Sequence, residues 1–261
     1  MTKVVSIVGR GPAVRGVDPW GVSTGRMRQL LSDEERARLA AIASIVRFKK
    51  GAEIYHEGDR ANAVFNIISG VAKACKASPD NGEHIMAFLF PEDLFGLSEE
   101  GKYVNSVKVV TPVTAYQIPV SALRSQLSMD AGLEFGVICK LSHELRQAQR
   151  HAFLLARRQA LAKLAMFFEM LEQLQVARGE GAAEIYMPMN RSDISEYVGM
   201  SLEAVSRAFR SLIKRRIIET RNRWHVKIID RDTFAKLSAG ISLPSPANLR
   251  AQSGGNQFPG S

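Results

Sequence analysis

The apolar pattern of this chain changes period near residue 131, and that change restricts the folds available to it. Between residues 45 and 119, short segments rich in Val, Ile, Phe and Tyr are separated by evenly spaced turn signals. These turns are Lys50-Gly51, Glu57-Gly58-Asp59, Ser69-Gly70, Asp80-Asn81-Gly82, Pro91-Glu92-Asp93 and Thr111-Pro112. Such spacing is typical of an antiparallel β-barrel or roll, whose interior is a natural ligand pocket. After residue 131 the period is helical, so the sequence predicts an α+β fold.

Length and composition fit a globular protein of two domains. A chain of 261 residues can bury two cores, and 46% hydrophobic with 23% charged residues is an ordinary globular balance. No apolar run is long enough to cross a bilayer, and residues 1–25 lack the apolar stretch of a secretion signal. We therefore expect a cytoplasmic protein without membrane contact. Cys75 and Cys139 are too few for a disulfide framework or a metal site, and both are predicted to be buried thiols.

The pattern divides the chain into five predicted segments. They are a mobile N-terminal tail at 1–26, a β-roll at 27–127, a long helix at 128–156, a C-terminal domain at 157–240 and a mobile C-terminal tail at 241–261. Near the start of the β-roll segment, Ser32 and Glu35 form a capping-box pattern, so a helix is expected to begin at Ser32. It is expected to bury Leu39, Ile42 and Ala43.

The long helix carries an apolar seam at alternating spacings of three and four residues. The seam consists of Ile138, Leu141, Leu145, Ala148, Ala152 and Leu155. This is a coiled-coil pattern nearly three heptads long, and it has two interpretations. The helix either packs on its own β-roll or pairs with a second copy of the chain. Polar residues along its flank favour the second interpretation, so we expect a homodimer. These flanking residues are Lys140, Glu144, Arg146, Gln147 and Arg150.

The C-terminal domain contains the spacing of a helix-turn-helix. A first helix is expected at about 158–175, with a buried face of Leu161, Leu164, Phe167, Phe168 and Leu171. A short helix capped by Asn190 is then followed by a turn at 198–200, with Gly199 at its centre. A further helix, capped by Ser201, is expected to run to about Arg216.

The helix that is expected to run from Ser201 to about Arg216 has the side chains of a DNA-recognition helix. Its expected buried face is Ala204, Val205, Ala208, Phe209 and Leu212. On the opposite side, Arg207 can donate two hydrogen bonds to guanine, Glu203 can accept one from cytosine, and Ser206 can contact a base edge or a thymine methyl. Glu203 could also brace Arg207, four residues further on, and the two roles can coexist.

Positive charge is concentrated around this helix. The whole chain has a net charge of +9, and between residues 205 and 227 eight basic residues face one acid, Glu219. Two strands, 217–220 and 224–229, are expected to form a basic winged hairpin joined by Arg221-Asn222-Arg223. Phosphate contacts set register and affinity rather than sequence. The predicted phosphate-contacting residues are Asn190, Arg191, Ser192, Arg210, Arg221 and Arg223.

With these motifs in order, the chain from about Met27 to Ala239 resembles the Crp-Fnr family of bacterial transcription regulators. The β-roll turns and the run Asn190-Arg191-Ser192-Asp193-Ile194 resemble those of the family, and Glu203-Ala204-Val205-Ser206-Arg207 resembles its Fnr and FixK branch. The resemblance implies a cyclic-nucleotide-binding-like jelly roll, a dimerisation helix and a winged helix-turn-helix. It also implies a double-stranded palindrome resembling TTGAT-N4-ATCAA, activation of transcription and RNA polymerase as a partner.

Departures from the family bear on the signal. Cyclic-nucleotide-responsive relatives carry an Arg-Ser pair where this chain has Tyr103 and Val104, eight residues before Thr111. Neighbouring Lys102 lacks the guanidinium fork, so cyclic AMP is not expected to bind. The N-terminal segment has no cysteine, which excludes an iron-sulfur cluster within one chain. We predict no cofactor. Haem, on one of four histidines, and a small organic effector remain open. The four are His56, His84, His143 and His151.

Other functions are less consistent with the sequence. No nucleophile-elbow, HExxH, Walker or GxGxxG motif occurs in a suitable place, so the chain is not expected to be an enzyme. A small-ligand signalling module that does not bind DNA would leave Glu203, Ser206, Arg207 and the basic wing unexplained. A ligand- or haem-responsive repressor of the same fold remains an alternative, since activation and repression depend on where the binding site lies relative to a promoter.

Overall fold

The N-terminal part of the computed structural model is an antiparallel β-roll. The structure describes residues 33–78, 82–181 and 183–241. A helix, α1 (Asp33–Ala41), precedes six strands: β1 (Ser44–Phe48), β2 (Glu53–Tyr55), β3 (Ala63–Ala77), β4 (Glu83–Leu89), β5 (Leu94–Phe95) and β6 (Ser106–Pro119). The order is β1-β6-β3-β4, with β2 also paired to β6 and β5 to β3. The predicted β-roll and α+β fold are confirmed.

Aromatic side chains fill the interior of the roll. Tyr55, Phe65, Phe95 and Tyr103 belong to one buried cluster. The Tyr55 and Tyr103 rings stack with their centroids 3.6 Å apart, and those of Phe65 and Phe95 lie 5.5 Å apart. Leu39 of α1 is buried in a separate cluster, which it forms with Val64 and Ile118 of the roll and with residues of the helices that follow. Ile42 and Ala43 follow the end of α1 and are half-buried; the predicted cap, Ser32, lies outside the described residues.

Ser69-Gly70 and Thr111-Pro112, predicted as turns between strands, instead lie within the continuous strands β3 and β6, because these two long strands pair with each other through shifts of register. The irregularity of β3 at Gly70 depends on glycine. Gly70 has φ +92°, and a Cβ at this position would lie 2.1 Å from the carbonyl oxygen of Pro112. We expect Gly70→Ala to lower the free energy of unfolding by more than about 3 kcal/mol, because a positive φ alone costs about 1–3 kcal/mol and the backbone clash adds to it. Urea unfolding measures the loss.

The matched control is Gly58→Ala. Gly58 has φ +87°, but its Cβ would meet nothing within 4 Å. This variant should show the cost of the backbone conformation alone. Equal destabilisation of the two variants would mean that the approach of Pro112 to Gly70 is not what requires glycine.

Two helices connect the roll to the C-terminal domain. They are α2 (Val120–Met129) and the 26-residue α3 (Ala131–Ala156). The segment expected as one helix from residue 128 is divided at Asp130, whose side chain accepts hydrogen bonds from the amides of Gly132 and Leu133 at 3.0 and 3.1 Å. This cap starts a new helix. Leu133, Val137 and Leu154 turn towards their own chain and are buried.

The C-terminal domain is a winged helix-turn-helix, as predicted. Its elements are α4 (Ala160–Ala177), β7 (Ile185–Tyr186), α5 (Arg191–Val198), α6 (Leu202–Lys214), β8 (Ile218–Asn222), β9 (His225–Ile228) and α7 (Arg231–Ser238). The small sheet has the order β7-β9-β8. On α4, Leu164, Phe167, Phe168 and Leu171 are fully buried, whereas Leu161 is half-buried.

The C-terminal core continues into the β-roll. Val71, Ile85 and Phe88 of the roll lie in the same buried cluster as Phe167 and Tyr197 of the C-terminal domain. The Phe88 and Tyr197 rings are 5.1 Å apart. The helix-turn-helix therefore packs directly on the outer face of the roll.

The two cysteines differ in their burial. Cys75 is buried, and its burial raises the pKa of the thiol to about 11, whereas Cys139 is half-buried. The prediction of a buried thiol is therefore confirmed for Cys75 and wrong for Cys139, which lies on a partly exposed side of α3.

Among the helices in the described ranges, none combines the length and apolar character needed to span a membrane. Apart from Ile241, the two predicted tails lie outside the described residues.

Candidate DNA-binding surface

Local capping interactions define the helix-turn-helix. Asn190 Oδ1 accepts from the amide of Asp193 at 2.8 Å, and Asp193 Oδ2 accepts from the amide of Asn190 at 3.2 Å. This capping box begins α5, and Gly199 ends it in the left-handed conformation, at φ 61° and ψ 53°. Ser201 Oγ then accepts from the amide of Ala204 at 3.2 Å and begins α6. The expected caps and the glycine turn are all present.

The buried face of α6 fixes which side chains point outward. Val205, Ala208, Phe209 and Leu212 are between 0% and 4% exposed. Phe209 meets the ring of Phe168 edge-on at 5.2 Å. This packing orients α6 about its axis. The predicted Ala204 is only half-buried, because it lies at the margin of the apolar face.

The three predicted base-reading residues share the opposite face of α6. Glu203 and Arg207 are exposed, and Ser206 between them is half-buried. Arg210, one turn further on, is also exposed, and its Nε lies 3.4 Å from the carbonyl oxygen of Ser206. The structure therefore brings together the side chains that sequence reasoning selected, on the first turns of one helix.

The Glu203 carboxylate is stabilised mainly by the start of its own helix. Its pKa is lowered first by a hydrogen bond from its own backbone N–H, next by the Ser201 hydroxyl, and least by the charge of Arg207. The charge of Arg207 is therefore one of several interactions that favour the carboxylate form of Glu203. Among the described residues, the exposed guanidinium of Arg207 has no hydrogen-bonding partner in the free protein.

The predicted phosphate contacts at the start of α5 differ in exposure. Asn190 and Ser192 are exposed, but Arg191 is half-buried, with its Cζ 2.9 Å from the centroid of the Phe209 ring. Burial lowers the pKa of Arg191 to about 10, and its Nη1 is buried without a hydrogen-bond partner among the described residues. Arg191 therefore joins α5 to α6 in the free protein, and a phosphate contact requires its side chain to move.

The connection between the two strands of the wing is shorter than predicted. Arg221 and Asn222 belong to β8 rather than to the connection, and the hairpin turns at Arg223-Trp224, because Asn222 pairs with His225 across the sheet. Asn222 Oδ1 accepts from the Trp224 amide at 2.8 Å, an Asx-type turn that the position of this asparagine could have indicated. Sequence reasoning placed both arginines at the tip. Only Arg223 is there.

The two wing arginines also have different neighbours. Arg221 Nη1 lies 3.4 Å from Glu184 Oε2, and Arg223 lies over the ring of Trp224, 4.4 Å from its centroid. Sequence reasoning missed both partners, because Glu184 lies outside the hairpin and Trp224 was placed in a strand. Arg223 is thus held at the tip by an aromatic ring, whereas the charge of Arg221 is partly compensated.

The β-roll position that meets a cyclic phosphate in cyclic-nucleotide-responsive relatives contains no cation here. Tyr103 is buried, and its hydroxyl donates to the carbonyl oxygen of Ala63 at 2.8 Å. Val104 is exposed. Thr111 Oγ1 accepts from the amide of Val71 at 2.9 Å, so this hydroxyl is engaged by the backbone. Lys102 is exposed beside them.

Of the four histidines considered for haem, two are exposed on the roll and two lie on α3. His56 Nε2 lies 3.3 Å from Glu53 Oε2. His84 Nδ1 lies 3.9 Å from Glu196 Oε2. His143 and His151 are more buried, and burial is the main cause that lowers the pKa of each. His151 is engaged in a hydrogen bond with a backbone carbonyl. In the part of the chain that the structure describes, no three potential metal ligands cluster together.

The apolar seam of α3 faces away from its own chain. Ile138, Leu141, Leu145 and Leu155 are 54%, 44%, 60% and 42% exposed. Ala148 and Ala152 are exposed as well. Contact with the β-roll is made by a different face of the helix, the one that carries Leu133 and Val137. The six seam residues therefore lie on the outward face of α3, where Leu155 at the end of the seam also approaches Gly199 of its own chain.

Comparison with known proteins agrees with this architecture. A model of the cyclic nucleotide-binding domain matches residues 45–130, and a model of the Crp-like helix-turn-helix domain matches residues 162–237. The chain belongs to the Crp-Fnr family. It is a DNA-binding transcription regulator, and the curated relatives are regulators rather than enzymes, in agreement with the expectation from the sequence.

Individual relatives match along most of the chain. The nitrogen fixation regulation protein FixK of Bradyrhizobium diazoefficiens is 26% identical over 247 residues, which cover 92% of this chain and 98% of FixK. The transcriptional activator protein FnrA of Stutzerimonas stutzeri is 27% identical over 74% of this chain and 79% of its own. The structure of FixK2 from Bradyrhizobium japonicum superposes with a TM-score of 0.70 at 25% identity, over 78% of this chain and all of FixK2.

Proposed function

We propose that the chain is a homodimeric activator of transcription that binds a palindrome resembling TTGAT-N4-ATCAA. The observation that carries the proposal is the outward face of α6, where Glu203, Ser206 and Arg207 stand together over a buried apolar face. The N-terminal turns of a recognition helix are the part that enters the major groove. Its partners would be double-stranded DNA, a second copy of the chain and RNA polymerase.

Each of these side chains has a base partner in the proposed half-site. Arg207 donates two hydrogen bonds to guanine O6 and N7, and Glu203 accepts from the amino group of a cytosine on the other strand. Ser206 contacts a base edge or a thymine methyl. The phosphate-contacting role is assigned to Asn190, Ser192, Arg210, Arg221 and Arg223, with Arg191 joining them if it leaves Phe209. Arg223 is the leading contact, because it is held at the wing tip.

A homodimer accounts for the exposed seam and for the palindrome together. Four large apolar side chains in one line along α3 are costly in water, and pairing with a second α3 would bury them. A two-fold dimer presents two recognition helices in opposite orientations, and this matches a DNA site that repeats with two-fold symmetry. Activation is supported by relatives such as FnrA, which is a transcriptional activator protein.

The test is binding of the purified protein to three duplexes. We expect the TTGAT-N4-ATCAA palindrome to bind more tightly than a scrambled duplex and than a single TTGAT half-site. Light scattering of the complex should give two chains per palindrome. Equal affinity for the palindrome and the scrambled duplex would refute the proposed site, and one chain per duplex would refute the dimer.

Cyclic AMP is expected neither to bind nor to change the affinity for DNA. A buried phosphate charge must be paired to be tolerated, and Tyr103 and Val104 offer it no positive charge. Isothermal titration with cyclic AMP measures binding, with the Tyr103→Arg/Val104→Ser double variant as a comparison. Saturable binding to the wild-type protein would contradict the prediction and would point to Lys102.

A further inference from the structure

The N-terminal end of α5 is tied to the β-roll by one carboxylate. Lys73 Nζ on β3 lies 2.7 Å from Asp193 Oδ1, and the two side chains are only 20% and 10% exposed. The other oxygen of Asp193 accepts from the amide of Asn190 in the capping box. The ion pair therefore connects the roll to the first turn of the helix-turn-helix.

The C-terminal end of α5 is held by two other helices. His151 Nε2 on α3 lies 2.7 Å from the carbonyl oxygen of Tyr197, and the two rings stack at 4.0 Å. From α4, Lys163 Nζ donates to the carbonyl oxygen of Val198 at 2.9 Å. Contacts from α3 and α4 thus fix the last turn of α5.

The same helix that holds α5 also carries the dimer seam. His151 is next to the seam residue Ala152, and a Cβ on Gly199 would lie 3.0 Å from Cδ2 of Leu155, the last residue of the seam. Beside these contacts runs an open groove of about 310 Å³, bordered by Leu154 and Met170. The groove leaves that side of α5 without close packing, so the polar contacts there add to the orientation that the apolar core sets on the β-roll side.

We propose that His151 and Lys73 are positioning residues, which hold the two helix-turn-helix units of a dimer at a fixed separation and so make the protein select operators by spacer length. A hydrogen bond has a preferred direction and length, whereas the hydrophobic attraction between apolar surfaces has no preferred direction. One added base pair moves a half-site by about 3.4 Å and rotates it by about 35°. Two recognition helices in a fixed relation cannot follow that change. The inference rests on the proposed dimer and palindrome.

Four variants test this role. His151→Leu removes the hydrogen bond to Tyr197, and Lys73→Met removes the ion pair while leaving the capping box intact. His151→Gln keeps a donor close to the position of Nε2 and should rescue the contact. His56→Leu is the matched control, since His56 is exposed and lies in the β-roll away from α5. Thermal unfolding and light scattering establish that each variant is folded and dimeric.

Affinity is then measured for TTGAT palindromes with spacers of three to six base pairs and for a single half-site. For the wild type, His151→Gln and His56→Leu, a change of one base pair in the length of the spacer should lower the affinity at least about tenfold. The reason is that one of the two recognition helices no longer reaches its bases. For His151→Leu and Lys73→Met, the ratio of the affinities for palindromes of different spacer length should fall towards one, and the affinity for the half-site should stay unchanged. A purely structural defect would instead lower the half-site affinity as well.

A second measurement does not depend on DNA. Spin labels at Glu100→Cys on the roll and Lys214→Cys at the end of α6, with Cys139→Ser, report the distance between the domains. We expect a narrow distribution for the wild type and a broad one for His151→Leu and Lys73→Met. Narrow distributions in both variants, or unchanged spacer ratios in folded dimers, would overturn the inference. If His151→Leu does not fold, Lys73→Met decides.

The proposed function and the positioning role of His151 and Lys73 are contradicted by different results. A wild-type protein that is monomeric, or that does not prefer the palindrome, contradicts the proposed function, and the spin-label distances still test the contacts of α5. A wild-type protein that binds the palindrome as a dimer, with variants that keep its spacer selectivity, contradicts the positioning role alone.

Discussion

Arg207→Ala is expected to remove most of the discrimination between the operator and a scrambled duplex. Removing a bidentate hydrogen-bonded pair with guanine costs about 1–3 kcal/mol per half-site, or about 2–6 kcal/mol for a palindrome, which is at least about 30-fold in operator affinity. The scrambled duplex is bound through phosphates, so its affinity should change far less. Fluorescence anisotropy titrations of both duplexes measure the ratio.

Arg223→Ala is the matched control, an arginine removed from the wing tip rather than from α6. It should weaken both duplexes together and reduce the slope of log affinity against log salt by about 1 for each phosphate that the variant no longer neutralises. Arg221→Ala should act in the same way but less strongly, because Arg221 already pairs with Glu184. If Arg207→Ala kept the ratio between the duplexes, or if Arg223→Ala abolished it, the assigned roles would have to be exchanged.

Placing glutamate at two seam positions, Leu141→Glu/Leu145→Glu, is expected to give monomers. Pairing of the variant helices would bury four carboxylates without partners, and each buried unpaired charge costs several kcal/mol. Affinity for the palindrome should fall to that for a single half-site. Analytical ultracentrifugation gives the mass, and circular dichroism should show the helical content retained, because both leucines are exposed in the single chain.

The control for this pair is Gln149→Glu, which adds a carboxylate at an exposed position of α3 outside the seam. This variant should remain dimeric. A double variant that kept the mass of a dimer would show that the chains associate through another surface, and the seam assignment would then be wrong.

Features that depend on neighbouring residues in the chain could be predicted from the sequence. Asn190, Gly199 and Ser201 start and stop the two helices through contacts that span only a few residues. The outward position of Glu203 and Arg207 follows from the helical period of the apolar residues around them. The α3 seam follows from the same helical period, but the sequence left open whether the seam packs on its own β-roll, and the structure shows its large apolar side chains exposed.

Features that depend on distant partners could not be predicted in this way. The turn of the wing moved to Arg223-Trp224 because strand register is set by cross-strand pairing, which local turn signals indicate only weakly. The sequence predicts an exposed cation at Arg191, but the guanidinium packs on the ring of Phe209 and is half-buried. Lys140, taken as a polar flank of the seam, is buried beside Asp93, at 3.3 Å.

The sequence by itself determined the order of the domains, the two helices of the DNA-binding motif and the side chains that α6 presents. Only the tertiary structure decided how that motif sits on the rest of the chain, through contacts such as Lys73–Asp193 and His151–Tyr197. The first pair lies 120 residues apart in the chain and the second 46. No periodicity or capping signal relates residues at such separations, because their contact depends on the packing of the β-roll, α3 and α5 as whole elements.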